Sequence, residues 1–280
     1  MKRLIVNADD LGADEGRNAG IFEAMEAGVV TAASILANGP ALDDAVSGIR
    51  GLGRKNVSFG IHVNLSEGAP LSRGLRLLTP GAACFPGKVG SRELLMSYTR
   101  ELEDEIAREI RAQISELKKR GIALTHIDGH QHVHVFPAVL RCAVSAAVEY
   151  SIPWMRIPDE PIVLQADIGA DLLREAEGFR EAGRRARPLL KGTGLRSADH
   201  FRGLLLKGRP SALAETVRHL PEGLAELMVH PGRVMGGAES PFSAFSNEDR
   251  VRELEALLSG TFRRTLEENV TLCCFTGTNS

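Results

Sequence analysis

Short β-type runs alternating with helical patterns constrain this chain more than any other feature. Seven runs read as strands: Leu4 to Ala8, Ala32 to Leu36, Val57 to Asn64, Leu124 to Asp128, Trp154 to Ile157, Glu226 to Val229 and Val270 to Phe275. The clearest helix is predicted over about Glu93 to Lys119. There Tyr98, Leu102, Ile106, Ile110, Ile114 and Leu117 make one apolar stripe, and Gly121 is placed as the C-cap. Two more are expected around Gly16 to Ala27, carrying Ile21, Phe22 and Met25, and around Glu248 to Leu258. Such alternation predicts an α/β fold with a mainly parallel sheet and crossover helices. Seven or eight strands suggest an irregular (β/α) barrel rather than an open sheet.

A length of 280 residues with 43% hydrophobic and 25% charged content fits one globular domain over 1–280. Two stretches interrupt the alternation: one near 66–90, rich in Gly and Pro, and one near 159–203, partly helical and basic. Long insertions after strands belong at the functional mouth of a barrel. A net charge of -2 provides no global field for nucleic acid or an anionic bilayer, so a small substrate is expected instead. The first apolar run is too short for a signal-peptide core, and no segment approaches the ~20 apolar residues of a membrane span. With Cys84, Cys142, Cys273 and Cys274 forming no CxxC pair, a reducing cytoplasm is the simplest location. The basic cluster of Arg180, Arg184, Arg185, Arg187 and Lys191 reads better as a solvated helix face than as an anion site.

The residues able to carry chemistry sit where apolar runs stop. Asn7-Ala8-Asp9-Asp10-Leu11-Gly12 places two carboxylates at the C-terminal end of the first strand, which could be a ligand site or simply a turn and helix cap. Gly60-Ile61-His62 ends another strand with a histidine. His126-Ile127-Asp128-Gly129-His130-Gln131-His132-Val133-His134 holds four of the chain's eight histidines in one run, a metal-site signal that a chance His-rich turn explains less well. Period-2 geometry would keep His126, Asp128 and His130 on one face unless Gly129 ends the strand first. Met228-Val229-His230-Pro231 again stops a strand at a histidine, an acid or base at the site mouth or an incidental surface residue. Arg156, after Trp154-Met155, could bind a carboxylate, orient a catalytic Asp or form a surface ion pair. No G-x-S-x-G elbow, P-loop or Rossmann fingerprint is present.

Taken in order, Val6 to Gly12, Gly60 to His62, Thr125 to His134 and Met228 to Pro231 resemble the motifs of the YdjC-like carbohydrate deacetylase family, which includes chitooligosaccharide deacetylases and hopanoid-associated HpnK-type members. The resemblance implies a barrel-like fold with one divalent metal held by Asp10, His62 and His130, Asp9 as base for the attacking water and His230 as acid. It departs from the family at Gln131, where many relatives have His. A metal-acidified water, an Asp base and a His acid form a coherent amide hydrolysis, because an amine leaves only when protonated. Mg²⁺ and Zn²⁺ are both compatible with such ligands.

The expected substrate is an N-acetylglucosamine-containing sugar or glycolipid, a chito-oligosaccharide or a glycosylated hopanoid being the two branches. The scarcity of Trp and Tyr disfavours a long glycan platform. Arg156 and Phe85 are expected to contact it, and a homodimer is a family-based expectation. The alternatives are hydrolysis of another amide or a phosphodiester, and non-catalytic sugar binding. Roles for His126, Asp128, His132 and His134 are left open.

Overall fold

A computed structural model of the protein describes residues 1–53, 56–162, 168–234, 242 and 247–277, so 163–167 of the second insertion lie outside the described residues. Its strands are β1 (Lys2–Leu11), β2 (Ala32–Ile35), β3 (Ser58–Val63), β4 (Leu124–Gly129), β5 (Trp154–Met155), β6 (His200–Arg202), β7 (Gly223–Val229) and β8 (Thr271–Leu272). Every pairing among them is parallel. Seven strands run in the order β5-β4-β3-β2-β1-β7-β6, and β8 pairs with the start of β1. The sheet curls into a half-barrel, and a parallel bridge from Trp154 to Arg196 links the β5 edge to the stretch leading into β6. The helices are α1 (Glu15–Glu26), α2 (Leu42–Gly51), α3 (Gly87–Leu95), α4 (Arg100–Lys119), α5 (Pro137–Glu149), α6 (Ala170–Ala186), α7 (Leu213–Arg218), α8 (Asn247–Leu258) and α9 (Gly260–Asn269). Among the described residues, no helix is long and apolar enough to cross a membrane.

The α/β alternation is therefore as expected, with two corrections. The single helix predicted over Glu93 to Lys119 is two, α3 and α4, separated by a turn. Thr99 accepts a hydrogen bond from the Leu102 N–H and caps α4, a local partner that favours starting a new helix there. Tyr98 consequently leaves the apolar stripe and is 56% exposed, whereas Leu102, Ile106, Ile110, Ile114 and Leu117 are buried. Burial of each contributes roughly 1.5–3 kcal/mol. At the other end, the Gly121 and Ile122 N–H groups return to the Lys118 and Leu117 carbonyls, a closure that the left-handed Gly121 permits. The second correction is β6, three residues inside the 159–203 stretch, where an insertion without a strand is predicted.

Strand alternation sorts the interior. Leu4, Val6 and Ala8 of β1, Ile61 and Val63 of β3, Ile127 of β4, and Ala225, Leu227 and Val229 of β7 enter the main core beneath the helices. The alternate face starts with a small apolar cluster of Ile5, Ala32, Trp154, Ala198, Leu224 and Phe275. Two residues further along the same strands it turns polar: Asn7, Ser34, Arg156 and Glu226 are all buried. Cys273 and Cys274 follow β8, partly buried and buried respectively, as small hydrophobic residues would be. The inner face thus becomes progressively more polar toward the C-terminal strand ends, where the functional residues lie.

Candidate metal centre

Two adjacent residues of a regular strand point to opposite faces, so Asp9 and Asp10 could not share a site without a break in the backbone. The break is present. Pairing between β1 and β2 shifts register between Ala8 and Leu11, and Asp10 has φ 72°, in the left-handed region. Asp tolerates that conformation better than most residues, at a cost of order 1–3 kcal/mol. The result is that both carboxylates face one cavity.

That cavity, about 330 Å³, lies at the C-terminal strand ends. It is lined by Asp9, Asp10, His62, His130, His230 and Arg250, among others. Asp10 Oδ1 lies 3.5 Å from His62 Nε2 and 2.9 Å from His130 Nδ1. Ligands bound at about 2.0–2.1 Å to one ion, at angles near 90–110°, are roughly 2.9–3.4 Å apart, so these three atoms suit a shared divalent cation. Asp9, His62 and Asp128 form a second convergent group. There, however, Arg156 occupies both oxygens of Asp9 at 2.7 Å and lies 2.9 Å from Asp128 Oδ2, whereas Arg250 meets Asp10 at Oδ2 and leaves Oδ1 to the cluster. The Asp10, His62 and His130 group is therefore the better fit for a metal.

The surroundings fix each of these groups. His62 Nδ1 lies 2.8 Å from Asp128 Oδ1, which leaves Nε2 for the cavity. Burial opposes charge on His62, but Asp128 and Asp9 outweigh it and hold the ring up to about 10. Burial also opposes charge on Asp10, and His130 and Arg250 more than offset it, keeping the carboxyl well below its usual range. Arg250 Nη2 donates to Asp10 Oδ2 at 2.7 Å.

Beneath the cavity, Arg156 grips Asp9 with two parallel bonds of 2.7 Å each and donates through Nε to Glu226 at 2.7 Å. Asn7 adds a bond to Asp9 Oδ1, and Ser34 donates to Asp128 Oδ2 at 2.6 Å. One guanidinium thus ties together three strand ends.

Of the residues expected from sequence, Asp9, Asp10, His62, His130 and His230 line the same cavity. Two expected substrate contacts do not. The Arg156 side chain is 0% exposed and not among the cavity-lining residues; it touches Asp9 rather than a ligand, in keeping with an orienting role. Phe85 is 6% exposed within the main core and also absent from the cavity wall, because its loop turns inward when the Phe85 N–H donates to the Gly68 carbonyl.

His130 lies just past β4, which ends at Gly129, so the period-2 face stops at Asp128. His126 and His134 fill structural positions. His126 stacks on Phe275 with centroids 4.0 Å apart and meets Ser34 and Thr125, while His134 Nε2 reaches the Arg156 carbonyl. Burial lowers both to about 4. His132 lines the cavity against Phe179. Burial likewise pushes His230 down to about 4. Its backbone N–H donates to Glu253.

Several contributors escaped the sequence reading. Glu226 carries a signal: with Leu224 and Met228 it alternates on one strand face, and a charge there needs a buried partner. Glu67, Arg250 and the cavity-lining Lys88, Glu175 and Lys207 carry none, being ordinary loop and helix residues brought in by folding.

Comparison with known proteins agrees with this architecture. A mouse protein named carbohydrate deacetylase is 36% identical over 297 residues, 97% of this chain and 93% of that one. A chitooligosaccharide deacetylase of Escherichia fergusonii is 31% identical over 271 residues, covering 96% of each. A crystal structure from Enterococcus faecalis V583, of a candidate cellobiose-phosphate cleavage protein, superposes with a TM-score of 0.71 over 98% of both chains. At 22% identity it shows a shared fold. The YdjC-like protein family model matches residues 3–268, and with these full-length relatives it establishes that the chain belongs to that family.

Proposed function

We propose that this chain is a metal-dependent hydrolase that removes the N-acetyl group from an N-acetylglucosamine-containing sugar or glycolipid. The observation that carries this reading is the convergence of Asp10, His62 and His130 beside an Asp9 held by Arg156. The deacetylase names of the full-length relatives supply the reaction class. We read the chain as one deacetylase domain over 1–280, since Lys88 of the first insertion and Leu172, Glu175 and Phe179 of the second line the same cavity.

Asp10, His62 and His130 would hold a divalent ion, Zn²⁺ or Mg²⁺, which when bound would supply Lewis acidity to a water and to the amide carbonyl. Asp9 Oδ2 lies 3.9 Å from His62 Nε2, next to the ligand cluster, and takes the proton from the attacking water. The bidentate grip of Arg156 keeps that carboxylate in one orientation, so little reorganisation accompanies the transfer. The departing sugar amine receives its proton from His230. At rest this buried imidazole, with a pKa of about 4, is neutral at pH 7. It takes up the proton that Asp9 removed from water and hands it to the amine as the C–N bond breaks, so one proton passes from water to amine and both groups return to their resting state. The cavity wall, with Lys88, Gln131, His132, Glu175 and Lys207 beside Leu172 and Phe179, supplies polar partners for sugar hydroxyls and suits one glycosyl group better than a long chain.

The test is acetate release from N,N′-diacetylchitobiose and from an N-acetylglucosaminyl lipid, with Asp9→Asn as control. Release that requires added metal and disappears in Asp9→Asn is the expected result, and the preferred compound identifies the substrate branch. No release from either compound by metal-loaded protein would turn the reading toward a different hydrolysis.

A further inference from the structure

His62 is not the only imidazole of the cluster with a carboxylate behind it. His130 presents Nδ1 toward Asp10 Oδ1, at 2.9 Å, and its other nitrogen, Nε2, lies 2.8 Å from Glu67 Oε2. Glu67 is 6% exposed and is not among the residues lining the cavity, so it approaches the ring from outside the reaction space. Its second oxygen accepts a hydrogen bond from Gln131 Nε2 at 3.0 Å, which fixes the plane of the carboxylate.

The loop that delivers Glu67 is itself fastened to β3. Asn64, two residues beyond His62, accepts from the Ser66 and Glu67 N–H groups through Oδ1 and donates to the Glu67 carbonyl at 2.7 Å. Asn38 donates to the same carbonyl at 3.2 Å. A tight Asn-centred turn therefore aims Glu67 from the end of β3 at the histidine that follows β4.

We propose that Glu67 is a positioning residue for the metal centre: it holds the Nε2–H of His130 and so presents Nδ1 to the ion, as Asp128 holds the Nδ1–H of His62 and presents Nε2. The proposal rests on the metal reading given above. A carboxylate behind a ligating imidazole fixes its tautomer and ring orientation and strengthens it as a donor, and loss of such a partner weakens metal binding by about 10–100-fold. Pairing each imidazole with its own carboxylate makes Glu67 and Asp128 equivalent devices, one on a loop and one on a strand.

The experiment measures Zn²⁺ affinity of the full chain by competition with a chromophoric chelator, for wild type, Glu67→Gln and Glu67→Ala. The expected result is weakening by about 10–100-fold in Glu67→Ala, with Glu67→Gln between it and wild type because the carboxamide oxygen can still accept from Nε2. Unfolding midpoints without metal show whether each variant is folded; if Glu67→Ala is not, Glu67→Gln alone decides, and an affinity equal to wild type overturns the proposal. Nitrogen-15 NMR of the Zn²⁺-loaded wild type should show His130 bound through Nδ1 with its proton on Nε2. Binding through Nε2 would also overturn the proposal. Absence of both Zn²⁺ and Mg²⁺ binding by the wild type would overturn the metal reading together with this inference, whereas tight wild-type binding that survives in folded Glu67→Ala would overturn this inference alone.

Discussion

Arg156→Lys isolates the contribution of guanidinium geometry from that of charge. The native side chain makes two bonds of 2.7 Å to Asp9, one of 2.7 Å to Glu226 and a contact of 2.9 Å to Asp128, all in a fully buried setting. A lysine ammonium keeps the charge but concentrates its donors on one atom, so it cannot span both Asp9 oxygens and Glu226 together. About two charge-assisted hydrogen bonds are lost, each contributing roughly 1.5–3 kcal/mol, which gives a destabilisation of about 3–6 kcal/mol. That is a large share of the ~5–15 kcal/mol that usually separates folded from unfolded chains. Urea unfolding followed by circular dichroism measures it. In the surviving folded fraction Asp9 is no longer pinned, and kcat for acetate release should fall on the order of 100-fold with a smaller change in KM. A loss below about 1 kcal/mol, within the range of ordinary substitutions, together with unchanged kcat would refute the role given to Arg156.

Three further outcomes are expected. Gly60→Ala would place its Cβ 2.4 Å from the His126 ring, which cannot retreat because it stacks on Phe275; a loss of about 1–3 kcal/mol or more should appear in the denaturation midpoint, and a neutral effect would show that the inner layer yields. Burial raises Glu160 to about 7 from an ordinary 4.5. The unfolded state therefore releases its proton first, and stability should fall as pH rises from about 4.5 to 7, by on the order of 3 kcal/mol from this group. Glu160→Gln should flatten that slope, and an identical slope in the variant would remove Glu160 as its source. Asp128→Ala should weaken metal binding by about 10–100-fold by freeing His62 Nδ1, and an unchanged chelator titration would exclude the orienting role.

Much of the site was legible because strand runs stop abruptly at polar residues. Asp9, His62 and His230 mark the ends of β1, β3 and β7, and all three line one cavity. The rest depended on features with no local signature. Nothing in the sequence announces that Asp10 takes a left-handed conformation, yet this is what turns two neighbouring carboxylates to one side. Phe85 in a Gly- and Pro-rich stretch read as a substrate contact, but its loop folds it into the core. The break before α4 was hidden because Leu94 and Leu95 continue the apolar pattern up to Thr99. β6 escaped because three residues, His200 to Arg202, make no visible period. Arg250 is far in sequence from Asp10, and Glu67, although it closely follows His62, is far from His130; only tertiary packing brings each to its partner.

The central claim is that acetate release requires an ion held by Asp10, His62 and His130 together with the carboxylate of Asp9. Its most direct test is a titration of chelator-stripped protein with Zn²⁺ or Mg²⁺, following acetate release and bound metal together in wild type, Asp10→Asn and Asp9→Asn. Activity should rise with the ion and saturate at one per chain; Asp10→Asn should lose both binding and activity, and Asp9→Asn should keep binding while kcat falls by about 100- to 10,000-fold. Acetate release by stripped wild-type protein, or full activity in Asp9→Asn, would contradict it.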